Sequence, residues 1–157
     1  MAPSANDSRK QLANNRRARR DYFVDETFET GIELRGTEVK SMRAGQFSLT
    51  GAFARVEEGD VILHHMTISP YEHGNRFNHE TERPRRLLLH AAQIRHLAVQ
   101  TDQKGHALVP LSVYLKRGLV KVELGVCRGK RQADKRETMR RKTADMEARR
   151  AMARHFR

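Results

Sequence analysis

Charge confines any packed core in this chain to its middle. Residues 1–20 carry six Lys and Arg against one Asp, and residues 128–157 carry twelve against four. Residues 21–127 hold thirteen basic and fourteen acidic side chains. The net charge of +12 therefore sits as +5 and +8 on the ends and −1 on the body. Segments so charged repel themselves and bury little apolar surface. The body, roughly a hundred residues, is long enough for one modest core. A near-neutral body with two cationic ends grips a polyanion in more than one place, which points to nucleic acid.

Several classes fall away. The 157 residues suit one domain plus tails. A single cysteine, Cys127, excludes an internal disulfide, fits a reducing cytoplasm, and reads as a small apolar strand residue. No run of about 18 apolar residues is available to span a membrane, and the N-terminus lacks the apolar stretch of a secretory signal. That segment is Arg-rich and acid-poor like a transit peptide, but Pro3, Asn14 and Asn15 interrupt it. Arg16-Arg17-Ala18-Arg19-Arg20 has the composition of a nuclear address, and equally of any RNA-binding arm.

Residues 1–8 are expected to be disordered, and residues 8–20 to form a short helix capped by Ser8. Alternation of aromatic and β-branched residues predicts a strand over 22–34. Residues 36–45 read as a helix capped by Thr37 and stopped by Gly45. Residues 53–56 and 61–66 flank Glu57-Glu58-Gly59-Asp60, a hairpin signature. Residues 69–86 read as a loop and 87–97 as a helix in their later part. Residues 105–115 and 119–127 are strands joined at Lys116-Arg117-Gly118. Five or six short antiparallel strands with few helices suggest a small closed barrel.

From residue 130 to the end there is neither Gly nor Pro, and good helix formers dominate. The apolar stripe is thin: Met139, Met146, Met152 and Phe156. Self-repulsion predicts that this tail is unfolded when free and becomes a helix once phosphates neutralise it. The chain thus divides into residues 1–8, a domain over 9–129 and a basic tail over 130–157.

Gly125-Val126-Cys127-Arg128-Gly129-Lys130 resembles a phosphate loop, but its glycines are one residue too close and Arg131 replaces the Mg²⁺-binding Ser/Thr. A flexible exit into the tail explains both glycines. His64, His65, His73 and His79 lack metal-ligand spacing, and no nucleophilic triad can be placed. The arginines Arg16, Arg17 and Arg19 offer planar forks for phosphate, or form a solvated arm. Arg85 and Arg86 precede Leu87-Leu88-Leu89, three leucines that cannot all face one core. An exposed leucine there packs on an unstacked base, unless the core takes all three. Glu29 and Glu38 repel phosphate, so in an RNA surface they accept hydrogen bonds from base amino or ribose hydroxyl groups. An ordinary surface glutamate is the alternative for each.

Longer matches carry more information. They are Asn15-Arg16-Arg17-Ala18-Arg19, Asp21-Tyr22-Phe23, and Gly31-Ile32-Glu33-Leu34-Arg35-Gly36-Thr37-Glu38-Val39-Lys40-Ser41-Met42-Arg43-Ala44-Gly45. Then come Ile68-Ser69-Pro70-Tyr71, Arg85-Arg86-Leu87-Leu88-Leu89, Pro110-Leu111-Ser112-Val113-Tyr114, Lys121-Val122-Glu123-Leu124-Gly125-Val126, Gly129-Lys130-Arg131 and Asp134-Lys135-Arg136. In this order the chain resembles the SsrA-binding protein (small protein B) family of bacteria over residues 15–136. The resemblance implies a mainly β fold, an oligonucleotide-binding-type antiparallel barrel with short helices. It implies a non-enzymatic protein that binds transfer-messenger RNA and delivers it to stalled ribosomes, completing the tRNA shape.

By matched position, Asn15, Glu29 and Leu88 correspond to RNA contacts. Lys40, Lys130 and Arg131 complete the RNA-binding set with the arginines above and Glu38. Asp134, Lys135 and Arg136 correspond to a motif acting at the decoding site, the tail entering the empty mRNA channel. The expected partners are transfer-messenger RNA and the small-subunit ribosomal RNA, with no membrane, no metal and no cofactor, in a cytoplasmic protein that is a monomer on its RNA. Pro84, Leu115, Arg117, Ala133 and Ala144 depart from the family's usual residues. A cold-shock-type single-strand binder needs an aromatic stripe that nine Phe and Tyr do not form here. A His-based metal nuclease is the other rival.

Overall fold

The computed structural model describes residues 9–71 and 78–155, with backbone alone at 132 and 133. The expected disorder over 1–8, His73 and Phe156 lie outside the described residues. The elements run β1 (Arg9–Asn14), α1 (Arg16–Asp21), β2 (Tyr22–Ile32), α2 (Gly36–Arg43), β3 (Phe47–Ser48), β4 (Phe53–Glu57) and β5 (Asp60–His64). They continue β6 (Thr67–Ile68), β7 (Arg85–Leu88), α3 (Ala91–Lys104), β8 (Ala107–Lys116), β9 (Leu119–Gly129) and α4 (Gln132–His155).

Six strands close into a ring. Their order is β8-β4-β5-β7-β2-β9, and β9 pairs back onto β8. Every pairing is antiparallel. β8 shares one edge between two partners: β4 meets it at Leu108, and β1 pairs over Ser112 to Lys116. The mainly β antiparallel barrel expected from the sequence is therefore present. Closure removes the exposed edges that an open sheet would leave.

Two hairpins hold register. The loops Glu58-Gly59 and Arg117-Gly118 have positive φ at both positions (48° and 83°, 54° and 76°). Two left-handed residues in a row match the right-handed twist of the flanking strands, and glycine at the second limits the strain.

The barrel interior takes alternate residues: Val61 and Leu63 of β5, Leu87 of β7, and Val122, Leu124 and Val126 of β9, joined by Met42 of α2 and Leu97 of α3. Each fully buried leucine contributes about 1.5–3 kcal/mol. A second, smaller cluster lies outside the barrel. There Ala18 of α1 covers Val109, Leu111 and Cys127. This explains why β8 is apolar almost throughout: its first half is buried on both faces. Gly125 sits beneath α1, where an added Cβ would lie 2.8 Å from Leu111 Cδ1. Burial pushes the Cys127 thiol up to about 11, so this cysteine is an inert strand residue, as its sequence context indicates.

Three readings need correction. Residues 9–14 are a strand, not a helix, and the cap is Asn15, not Ser8. Its Oδ1 accepts from Ala18 N–H at 3.1 Å. Second, α2 starts behind Arg35, not Thr37; its Glu38 carboxylate accepts the Arg35 N–H at 2.8 Å. Third, the loop read over 69–86 ends early, because residues 85–88 form β7; the helix expected in the later part of 87–97 is present as α3, from Ala91. In β7, Leu87 points inward and Leu88 outward, as the period of a strand requires. The tail, expected to be unfolded when free, stands here as one helix, α4. Asp134 accepts the Arg131 N–H at 3.3 Å at its start, and Glu137 pairs with Arg141 at 2.8 Å.

Candidate nucleic-acid interface

The outward face of β8, β9, β2 and β7 is half covered. α1 sits on its upper part; below α1 the face is open and polar. The order of side chains follows from register. Ser112 of β8 lies opposite Glu123 of β9, and Glu123 opposite Glu29 of β2. Two residues along β2, Gly31 lies opposite Leu88 of β7. Arg19 reaches down from α1 to Glu123 at 3.1 Å. At the far end Arg86 pairs with Glu33 at 2.7 Å.

Glu29 is held from three sides. Tyr114 Oη donates to it at 2.5 Å, Arg9 Nη2 lies at 3.2 Å and Lys116 Nζ at 3.3 Å. The Tyr114 hydrogen bond, with Lys116 and Arg9, keeps the Glu29 carboxyl below its usual range despite some burial. Burial and that same bond push the Tyr114 phenol well above its ordinary value. Arg9 also lies over the Tyr114 ring at 4.7 Å. The result is an ionised carboxylate in a fixed place on a face otherwise rich in cations.

Leu88 is 47% exposed although it stands in a strand. Gly31 makes room for it: a Cβ there would lie 3.2 Å from Leu88 Cβ. An exposed leucine between Glu29 and Arg86 offers an apolar surface to a base or sugar edge. Asn15 stands at the head of the face, but its side chain is already committed. Nδ2 donates to Pro110 O at 2.9 Å while Oδ1 caps α1. Its evident work is to fix α1 on the barrel.

Arg16, Arg17 and Arg19 are exposed along α1. The tail root adds further cations. Lys130 N–H donates to Asp21 O at 2.9 Å, and Lys130 Nζ lies 3.1 Å from Thr138 Oγ1 and 5.0 Å from the exposed Phe23 ring. Lys135 is 3.6 Å from the Asp21 carboxylate. Burial raises the Asp21 carboxyl, but Arg20 and Lys135 together hold it below its usual value. Arg131 and Arg136 are exposed and Asp134 partly so.

Three candidates do not belong to this surface. Glu38 and Arg85 have fully buried side chains and bond each other at 2.5 Å. Glu38 also takes Arg83, and Arg85 donates to Met66 O at 2.6 Å and Thr81 O at 3.2 Å. Burial pushes the Glu38 carboxyl up, but the Arg35 N–H and two guanidiniums outweigh it, and the net shift is down. Buried charges persist only when paired and hydrogen-bonded, as these are. They anchor α2 to β7 and the loop that precedes it. Lys40 also lies apart, on α2, over the Tyr71 ring at 5.5 Å.

Sequence reasoning missed Tyr114, Glu123, Arg9 and Lys116. Ser112, Tyr114 and Lys116 alternate with apolar residues, as do Lys121 and Glu123. A two-residue period of this kind marks one outward face of a strand, and the order of the amino acids alone contains it.

A family model for SmpB protein matches residues 12–154. The chain belongs to the SmpB family. Its relatives include the SsrA-binding protein of Shouchella clausii, 53% identical over 94% of this chain and 95% of that one. The SsrA-binding protein of Bacillus subtilis is 52% identical over 92% of each. Among solved structures, a chain from a study of tmRNA–SmpB and the bacterial ribosome superposes with a TM-score of 0.64, at 50% identity. That match covers 82% of this chain and 94% of the other. Among the described residues no helix is long and apolar enough to cross a membrane, and no group of three or more His, Cys, Asp or Glu is placed to hold a metal.

Proposed function

We propose that this protein binds the tRNA-like part of transfer-messenger RNA and carries it to stalled ribosomes for trans-translation. The observation that carries the reading is the open polar face, with Glu29 held ionised among cations and Leu88 exposed beside it, in a chain of the SmpB family. Phosphate contacts from α1 supply affinity that is indifferent to sequence. Glu29, Glu123 and Leu88 supply selectivity, since a carboxylate accepts from base or ribose donors and repels bare phosphate. No bond is made or broken by the protein, so it acts without a cofactor.

Residues 9–129 form the RNA-binding unit and residues 130–157 the ribosome-directed tail. With the barrel on the RNA elbow, Asp134, Lys135 and Arg136 lie at the base of α4, where they reach the decoding site. The rest of α4 follows the empty message channel, whose phosphates neutralise its charge and stabilise the helix. With these partners the protein works in the cytoplasm, one copy to each RNA.

The test is selective binding. The full chain is titrated with the tRNA-like domain and with an arbitrary duplex of equal length over a range of salt. Tighter binding of the tRNA-like fold at every salt concentration is the expected result. Equal affinity for both would overturn the reading.

A further inference from the structure

Across α1 from the Glu29 face lies an open cavity of about 810 Å³ between α1, the outer side of β4 and the end of α3. Its first wall is β4. Phe53 and Arg55 point outward there, while Ala54 between them enters the core. Strand register puts His64 opposite Phe53, and the rings stack at 5.5 Å with 24° between planes. His65 adds a second imidazole at 5.3 Å while holding φ at 63°, a left-handed conformation costly for a residue with a side chain. The Arg55 guanidinium lies over the Phe53 ring at 5.1 Å and has no carboxylate partner among the described residues.

The second wall is α1, with Arg17 and Asp21; the far end holds exposed Asp102 and the buried edge of His106. His106 Nε2 is engaged by Asp25 at 2.9 Å. Its Nδ1 is buried and has no hydrogen-bond partner among the described residues.

The dimensions suit a single small ligand. The chemistry narrows it. A stack of flat rings favours a planar aromatic group. An uncommitted guanidinium at its edge favours a phosphate. The exposed Asp102 carboxylate at the far end favours an amino group. One molecule class carries all three features, a nucleotide removed from its stack.

We propose that this cavity takes one unstacked nucleotide of the RNA partner, its base against the Phe53–His64 stack, its phosphate on Arg55 and its base edge toward Asp102 and His106. This rests on the RNA-binding reading above. It adds a contact on the side of α1 that the Glu29 face does not use, so α1 is held by RNA along both flanks.

The full chain, labelled with ¹⁵N, is titrated with 5′-AMP, with 5′-CMP and with inorganic phosphate, following the amides of Gly51, Ala52, Arg55 and His106. Saturable shifts with the nucleotides and none with phosphate are expected. The apparent affinity should fall about fivefold or more in Arg55→Ala and in Asp102→Asn, both exposed positions whose change leaves the fold intact. Shifts no larger than those with phosphate, or variants that titrate like the parent, would overturn the proposal. Affinity for the tRNA-like domain is measured on the same samples. If that RNA binds while nucleotides leave these amides unmoved, the cavity proposal falls and the RNA reading stands. If nucleotides bind and the RNA does not, the RNA reading falls and takes with it the assignment of the nucleotide to that RNA.

Discussion

Glu29 and Glu123 face each other across the β2–β9 ladder, two like charges in direct register. Such a pair is unfavourable by itself. It is tolerated because each carboxylate has its own partners on opposite sides. Arg9, Tyr114 and Lys116 serve Glu29; Arg19 and Ser112 serve Glu123. The two acids therefore lie side by side, each held in place by its own donors, beneath an arginine-rich helix.

Glu29→Gln keeps the shape and the Tyr114 contact but removes the charge. It should weaken binding of the tRNA-like domain roughly tenfold, the scale of one charge-assisted hydrogen bond, and leave an arbitrary duplex unaffected. Filter binding with both RNAs checks it. Equal losses on the two would remove Glu29 from selectivity.

Arg16 and Arg17 are exposed on α1, and an arginine that neutralises a phosphate releases a counterion. Replacing both by Ala should reduce the slope of log affinity against log salt by about 1 to 2. An unchanged slope would show that these arginines stay in solvent.

The Glu38–Arg85 pair ties stability to acid. The Glu38 carboxyl titrates below its usual 4.5 in the folded chain. Its contribution is thus complete above about pH 4.5 and lost as pH falls through the lower folded value. Glu38→Gln should cost about 3 kcal/mol at neutral pH by leaving Arg85 unpaired, and should flatten the acid limb of the stability curve. Urea unfolding between pH 3 and 7 measures both. An acid limb as steep as the parent's would assign the transition to other carboxyl groups.

Gly125→Ala places a methyl against Leu111 and Cys127 beneath α1. A loss of about 1–3 kcal/mol is expected, with faster hydrogen exchange at Ala18 than in the barrel strands. Uniform exchange changes would mean that α1 and the barrel open as one unit.

Removing residues 131–157 should leave binding of the tRNA-like domain largely intact and abolish tagging of stalled peptides in a reconstituted translation reaction. Tagging at the parent's level by the truncated chain would refute the division between barrel and tail.

Local chemistry made much of this fold legible. Glu58-Gly59 and Arg117-Gly118 announced both hairpins because left-handed turn residues are chosen for the turn itself. Alternation marked β2, and the Lys116-Arg117-Gly118 turn marked the boundary between β8 and β9. β1 was illegible because Lys10, Gln11, Leu12 and Ala13 all favour helix; its strand form comes from pairing with β8, about a hundred residues away. Glu38 and Arg85 failed likewise. Nothing local in either segment says that two charges 47 residues apart will meet in a dry interior. Leu88 was the reverse case. Three leucines in a row obey a two-residue period in any strand, so the middle one had to leave the core.

The junction at Asp21 has one more implication. Its carbonyl receives the Lys130 amide and its carboxylate meets Lys135, so the arginine helix and the root of the tail are fastened at a single corner of the barrel. The C-terminal end of α1 and the root of α4 thus share one anchor residue, set beside the end of β9 from which the tail departs.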